Sequence, residues 1–133
     1  MTVRVLVVDD QPPFRAAAAA VVEVTDDFEL VGEVETGEAA VAAARELGPD
    51  LVLMDVNLPG INGLEATRQI LDNAASEGAP VVVLVLSTYE AAEYAPRAAE
   101  AGAASYIPKS EFSPDRLAEA WAAARPSAGG DRL

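Results

Sequence analysis

The chain has 133 residues, 51% of them apolar, and a formal net charge of −13. That is enough apolar material for one domain with a full core and too much for a disordered chain. So acidic a surface is repelled by nucleic-acid phosphate, so direct DNA binding by this segment is not expected; the absence of cysteine and histidine also excludes disulfides, thiolate chemistry and imidazole bases.

Val3 to Val8 (VRVLVV) predicts a mostly buried first strand, ended by Asp9 and Asp10. Pro12 and Pro13 suit a first helical turn, and the Ala-rich run to about Val24 continues it. Phe28 to Val34 (FELVGEV) predicts a second strand that Gly32 weakens, which suits a sheet edge. Thr36 caps a second helix to about Leu47, stopped by Gly48 and Pro49. Leu51 to Met54 predict a buried third strand that stops at Asp55, and Leu58, Pro59 and Gly60 form a turn.

Asn62, with Glu65 three residues on, reads as a capping box for a third helix from about Gly63 to Ala75, ending near Gly78. Val81 to Leu86 (VVVLVL) predicts a central parallel strand buried on both faces. Ser87, Thr88, Tyr89 and Glu90 open the next connection. A fourth helix is expected to end at Gly102. Because Pro96 cannot donate a backbone hydrogen bond, that helix is expected to start late, near Ala95, or to kink. Ala104 to Ile107 predict a short strand leading to Pro108 and Lys109, the only lysine. Ser113 and Pro114 start a last helix that ends near Arg125. Residues 1–125 therefore read as the domain, and residues 126–133 (PSAGGDRL) as a linker or C-terminal tail. No apolar run reaches the roughly 20 residues of a membrane span, and no signal-type segment opens the chain. A soluble cytoplasmic protein without a membrane partner is expected.

Strand and helix alternate five times, which predicts a parallel sheet with helices on both faces and right-handed crossovers. In such a sheet Asp9 and Asp10, Asp55, Ser87 and Thr88, and Lys109 all emerge at one edge, where ligand sites of open α/β sheets form. Each alone also reads as a cap, a turn residue or a solvated charge. Together, three carboxylates repel one another unless a cation sits among them. All-oxygen ligands favour Mg²⁺; protonation of one carboxylate, or pairing with Lys109, is the competing arrangement. With Mg²⁺ the fitting anion is a phosphoryl group, and a carboxylate nucleophile would form an acyl phosphate. Asp55 is best placed for that role.

The stretches VLVVDDQ, LVLMDVNLPGINGLE, VVVLVLSTYE and ASYIPK resemble, in order and spacing, a response-regulator receiver domain of bacterial two-component systems. The resemblance covers about residues 1–125 and is greatest to the NarL/LuxR-type sub-group, which is linked to helix-turn-helix DNA-binding domains. It implies an α/β, flavodoxin-like (βα)5 three-layer sandwich whose five-stranded parallel sheet has the order 2-1-3-4-5. It implies Mg²⁺ at Asp9 and Asp10, Asp10 being the more direct ligand. Asp55 would be the phosphoacceptor and a further ligand, and Asn57 would lend its backbone carbonyl. Ser87 would be the switch hydroxyl, with Thr88 its rival; the 22-residue interval from Ser87 to Lys109 fits the family better. Lys109 would pair with the phosphoryl group. Tyr106 would be the aromatic switch, a position that also suits a half-buried strand aromatic.

The implied partners are a sensor histidine kinase and, on activation, a second copy of the chain. The implied output is transcription through a helix-turn-helix domain, the tail GGDRL resembling the join to one. A stand-alone receiver acting by protein contact is the rival. The implied activity is a phosphorylation-dependent switch rather than a conventional enzyme. A haloacid-dehalogenase-type phosphatase shares the chemistry but carries a DxD pattern on its first strand, a dinucleotide-binding domain needs a GxGxxG that is missing here, and the complete acidic set argues against a receiver that signals without phosphorylation. The chain departs from many receivers in two places. Ser110, not proline, follows Lys109, so a cis 109–110 peptide would be very unfavourable. Pro96 interrupts the helix that contributes to the output face.

Overall fold

The computed structural model describes residues 2–88 and 91–125. The alternation read from the sequence becomes β1 (Val3–Val8), α1 (Pro12–Val24), β2 (Phe28–Val34), α2 (Gly37–Leu47), β3 (Leu51–Asp55), α3 (Gly63–Glu77), β4 (Val82–Ser87), α4 (Ala91–Ala101), β5 (Ser105–Pro108), a single 3-10 turn (Lys109–Glu111) and α5 (Pro114–Ala124). The strands form one parallel sheet of order β2-β1-β3-β4-β5. The residues of the tail, 126–133, lie outside those described.

β1, β3 and β4 are apolar at almost every position because both faces are covered, and period-two alternation sorts their side chains into two cores. Leu6, Val8, Val52, Met54, Val83 and Val85 face one way and meet Ala40, Ile70 and Ala98 of α2, α3 and α4. Val5, Val7, Leu51, Leu53, Leu84 and Leu86, with Ile107 of β5, face the other way and meet Val22 of α1 and Leu117 of α5. β2 is an edge, as its weakened alternation suggests. Its pairing with β1 slips between Val5–Leu30 and Leu6–Gly32. A Cβ at Gly32 would stand 2.8 Å from Leu47 Cδ1, so the glycine lets α2 close onto the sheet.

The helix starts follow their caps. Thr36 Oγ1 accepts from the Ala39 N–H at 3.0 Å, and Ser113 Oγ from that of Arg116 at 3.1 Å. Asn62 Oδ1 accepts from the N–H groups of Leu64 and Glu65 at 2.9 and 3.0 Å. The expected capping box is only half made: the Glu65 carboxylate turns along the helix to Arg68 and Gln69, both at 3.1 Å. A second expectation is corrected in α4, which starts at Ala91 rather than near Ala95 and runs through Pro96. Proline there removes one bond of the helical ladder, that to the Ala92 carbonyl, and Pro96 is exposed, so water can take the freed acceptor. Buried Ala98 and Ala101 tie the following turns to the core. Every peptide among the described residues is trans, the 109–110 bond included.

Candidate functional site

Strand pairing brings the polar residues to one lip. Val8 pairs with Met54, so Asp9 and the strand end at Asp55 leave the sheet side by side. Asp55 pairs with Leu86, and Ser87 with Pro108, which sets Lys109 one residue past the edge of β5. By alternation, Asp9, Asp55 and Lys109 extend the side-chain rows that face α1 and α5. Ser87 extends the row of Val83 and Val85, which faces α2 to α4, and Tyr106 pairs with Val85 on that same side.

The charged groups converge. One carboxylate oxygen from each of Asp9, Asp10 and Asp55 lies within 4.8 Å of the others. Lys109 Nζ stands 2.7 Å from Asp9 Oδ2 and 3.6 Å from Asp55 Oδ1, and its side chain is only 8% exposed. Asp9 Oδ1 accepts from the Gln11 N–H at 2.9 Å, and Arg15 Nη1 donates to the Asp9 carbonyl at 2.9 Å. Both carboxylates at the centre, Asp9 and Asp55, are buried.

Burial, reinforced by the Asp9 charge, raises the Asp55 pKa to about 6; Lys109 and a hydrogen bond from the Asn57 N–H pull it partly back, and Asp10 adds a smaller push upward. Three carboxylates against one ammonium leave the pocket short of positive charge. A divalent cation fits this deficit. The donors are all hard oxygens, and their spacing is on the scale set by metal–oxygen bonds of about 2.0–2.1 Å around Mg²⁺. The two arrangements that the sequence left as competitors are therefore compatible, since Lys109 bridges two carboxylates without neutralising the set.

Ser87 is buried and Thr88 exposed. Tyr106 is half-buried against the core beneath α2 to α4 and belongs to the opposite side of the sheet from the carboxylates. Two residues that matter to the geometry went unread in the sequence. Gly63 looked like a mere helix start, yet a Cβ there would overlap the Asp55 carbonyl oxygen and stand 2.8 Å from its carbon. Phe14 lies in the run read only as the body of the first helix, yet its ring centroid lies 4.2 Å from Lys109 Nζ. Neither sequence position carries a signal for a contact made across the fold.

The family model of the response regulator receiver domain matches residues 5–122. The chain belongs to the response-regulator receiver family. The receiver is 35% identical to the transcriptional regulatory protein DegU of Brevibacillus brevis over 118 residues, 89% of this chain and 48% of DegU. It is 38% identical to a protein-glutamate methylesterase/protein-glutamine glutaminase of Idiomarina loihiensis over 109 residues, 82% of this chain and 28% of that protein. The chain thus spans half or less of these curated relatives, whose names describe unlike outputs. A LuxR-family two-component response regulator from Aurantimonas sp. SI85-9A1 superposes with a TM-score of 0.79 at 32% identity, covering 90% of this chain and 81% of that one. The flavodoxin-like architecture and the order 2-1-3-4-5 are those the resemblance implied. No helix among the described residues is long and apolar enough to cross a membrane.

Proposed function

We propose that Asp55 accepts a phosphoryl group from the phosphohistidine of a sensor histidine kinase, and that the change is read on the α4 side of the sheet. The observation that carries this reading is the convergence of Asp9, Asp10 and Asp55 within 4.8 Å, with Lys109 bridging two of them. Asp9, Asp10, Asp55 and the Asn57 backbone carbonyl would hold Mg²⁺, which when bound supplies charge neutralisation for the carboxylate and the incoming phosphoryl oxygens.

With a pKa of about 6 the Asp55 carboxylate is mostly ionised at neutral pH. One of its oxygens attacks phosphorus in line as the P–N bond breaks, and the leaving imidazole keeps the electron pair. The product is an acyl phosphate. Lys109 shifts from Asp9 toward the new phosphoryl oxygens, which carry more charge than the carboxylate did. Ser87, on the neighbouring strand end, turns its hydroxyl toward the same group. Because Ser87 and Tyr106 share one side of the sheet, that turn opens space for the Tyr106 ring, and the surface of α4, β5 and α5 shifts between two states. The carboxylates stay where they are; the hydroxyl and the aromatic carry the change across the sheet.

Likeness to DegU and to a LuxR-family regulator supports transcription as the output, through a helix-turn-helix domain joined after residues 126–133 and with a second copy of the chain as partner on activation. The reading makes the chain a cytoplasmic phosphoacceptor that returns its phosphoryl group to water rather than a conventional enzyme. Incubation with Mg²⁺ and phosphoramidate, followed by mass spectrometry and NMR, tests it. A single Mg²⁺-dependent phosphoryl adduct is expected on the wild type and none on Asp55→Ala. A full-strength adduct on Asp55→Ala would move the acceptor elsewhere.

A further inference from the structure

Lys109 is the only lysine of the chain, and its ammonium is nearly sealed from water, with 8% of the side chain exposed. An ammonium has three N–H donors and no acceptor. Asp9 Oδ2 lies 2.7 Å and Asp55 Oδ1 3.6 Å from its nitrogen. The Phe14 ring lies over it, with the centroid at 4.2 Å, well inside the range for a cation on an aromatic face. Phe14 belongs to neither apolar core, and at 41% exposure it is one of two large apolar side chains left exposed among the described residues. Core packing therefore does not explain it.

The turn that carries Phe14 is stiff and shared with Asp9. Pro12 and Pro13 open α1, the Gln11 N–H is bound to Asp9 Oδ1, and Arg15 holds the Asp9 carbonyl. The Asp9 carboxylate and the Phe14 ring thus belong to one stiff segment, and both reach the ammonium at the end of the long Lys109 side chain. We propose that Phe14 is a positioning residue: its ring face keeps the Lys109 ammonium between Asp9 and Asp55 instead of letting it settle on Asp9 alone, and so sets how fast Asp55 gains a phosphoryl group. The effect on rate rests on Asp55 as acceptor; the placement of the lysine does not.

Phe14→Leu keeps apolar bulk and removes the π face, whereas Phe14→Trp keeps it. With lysine-selective ¹³C labelling, the Lys109 ε-methylene gives one signal in protein free of metal and phosphoryl donor. It is expected upfield, under the ring current, in the wild type and in Phe14→Trp, and at the ordinary lysine position in Phe14→Leu. At saturating Mg²⁺ with phosphoramidate, the rate of adduct formation should fall roughly fivefold in Phe14→Leu and stay within about twofold of wild type in Phe14→Trp. A wild-type rate in Phe14→Leu overturns the proposal even if the lysine signal moves, and so does a Phe14→Trp variant that behaves like Phe14→Leu. Should Asp55→Ala still form the adduct, the acceptor assignment fails, while the lysine signal by itself still decides where Phe14 holds the amine.

Discussion

At the carboxyl lip of the sheet two rows of side chains end differently. The row over α1 and α5 ends in Asp9, Asp55 and Lys109, buried charges 2.7 and 3.6 Å apart across the amine. The row over α2 to α4 ends in Ser87, with half-buried Tyr106 one strand away. The first row is held in place by short ion pairs and backbone hydrogen bonds, and it stores repulsion that a cation or a proton relieves. The second packs Tyr106 against the apolar core beneath α2 to α4, and its half-buried ring has a solvent side to move toward. The contrast separates a rigid place for chemistry from an adaptable place for its readout, set on opposite faces of one sheet.

The strongest attack on the rigid half is Gly63→Ala. The new methyl must displace the Asp55 carbonyl, so a loss of about 3 kcal/mol or more, the upper end for overpacking, is expected in urea melts. It should come with loss of the phosphoryl adduct. Wild-type stability in that variant would mean β3 and α3 can separate freely, and the rigidity argued for the first row would fail.

Next is the stored repulsion itself. The folded-state pKa of Asp55, about 6, lies above its ordinary value of 3.8, so the folded protein holds that proton more tightly than the unfolded chain. Stability on this account is greatest below the lower value, falls as pH rises between the two, and stays reduced above the higher. Asp55→Asn should therefore raise stability by the order of 2 kcal/mol at pH 8, with the gain shrinking toward zero as pH drops below 4. A pH-independent difference between the two proteins would show that charge is not the cause.

Tyr106→Ala probes the other row. A half-buried aromatic should cost about 2 kcal/mol, well under the loss from a fully buried one, yet adduct formation on Asp55 should keep its wild-type rate to within about twofold. A large fall in that rate would mean the two rows are not separate. Pro96→Ala has the smallest expected effect. It restores one hydrogen bond in a helix that already spans the site, so a gain of about 1 kcal/mol is expected, seen as slower hydrogen exchange in α4 with no change in its length.

Much of this is legible in the amino-acid sequence. The uninterrupted apolar run of β4, Val82 to Leu86, can only be buried on both faces, and the carboxylate that stops β3 has to stand at the lip. Asn62, Thr36 and Ser113 announce helix starts through their own side chains. What could be misread was local too. Pro96 argues for a broken helix if its neighbours are ignored, but Ala98 and Ala101 are buried and outweigh one missing hydrogen bond. Glu65 sits at the capping-box position but binds Arg68 and Gln69 instead.

The order of apolar runs and turn residues, by itself, determined five strands, five helices and, to within one residue, where each strand ends, because burial and backbone hydrogen bonding leave few alternatives for such runs. It could not say that Lys109 lies nearer Asp9 than Asp55, that Phe14 covers it, or that Gly63 leaves no room behind Asp55. Those contacts join residues far apart in the chain, and their distances depend on how strands pair and how closely helices settle on them, which only the packed tertiary structure decides.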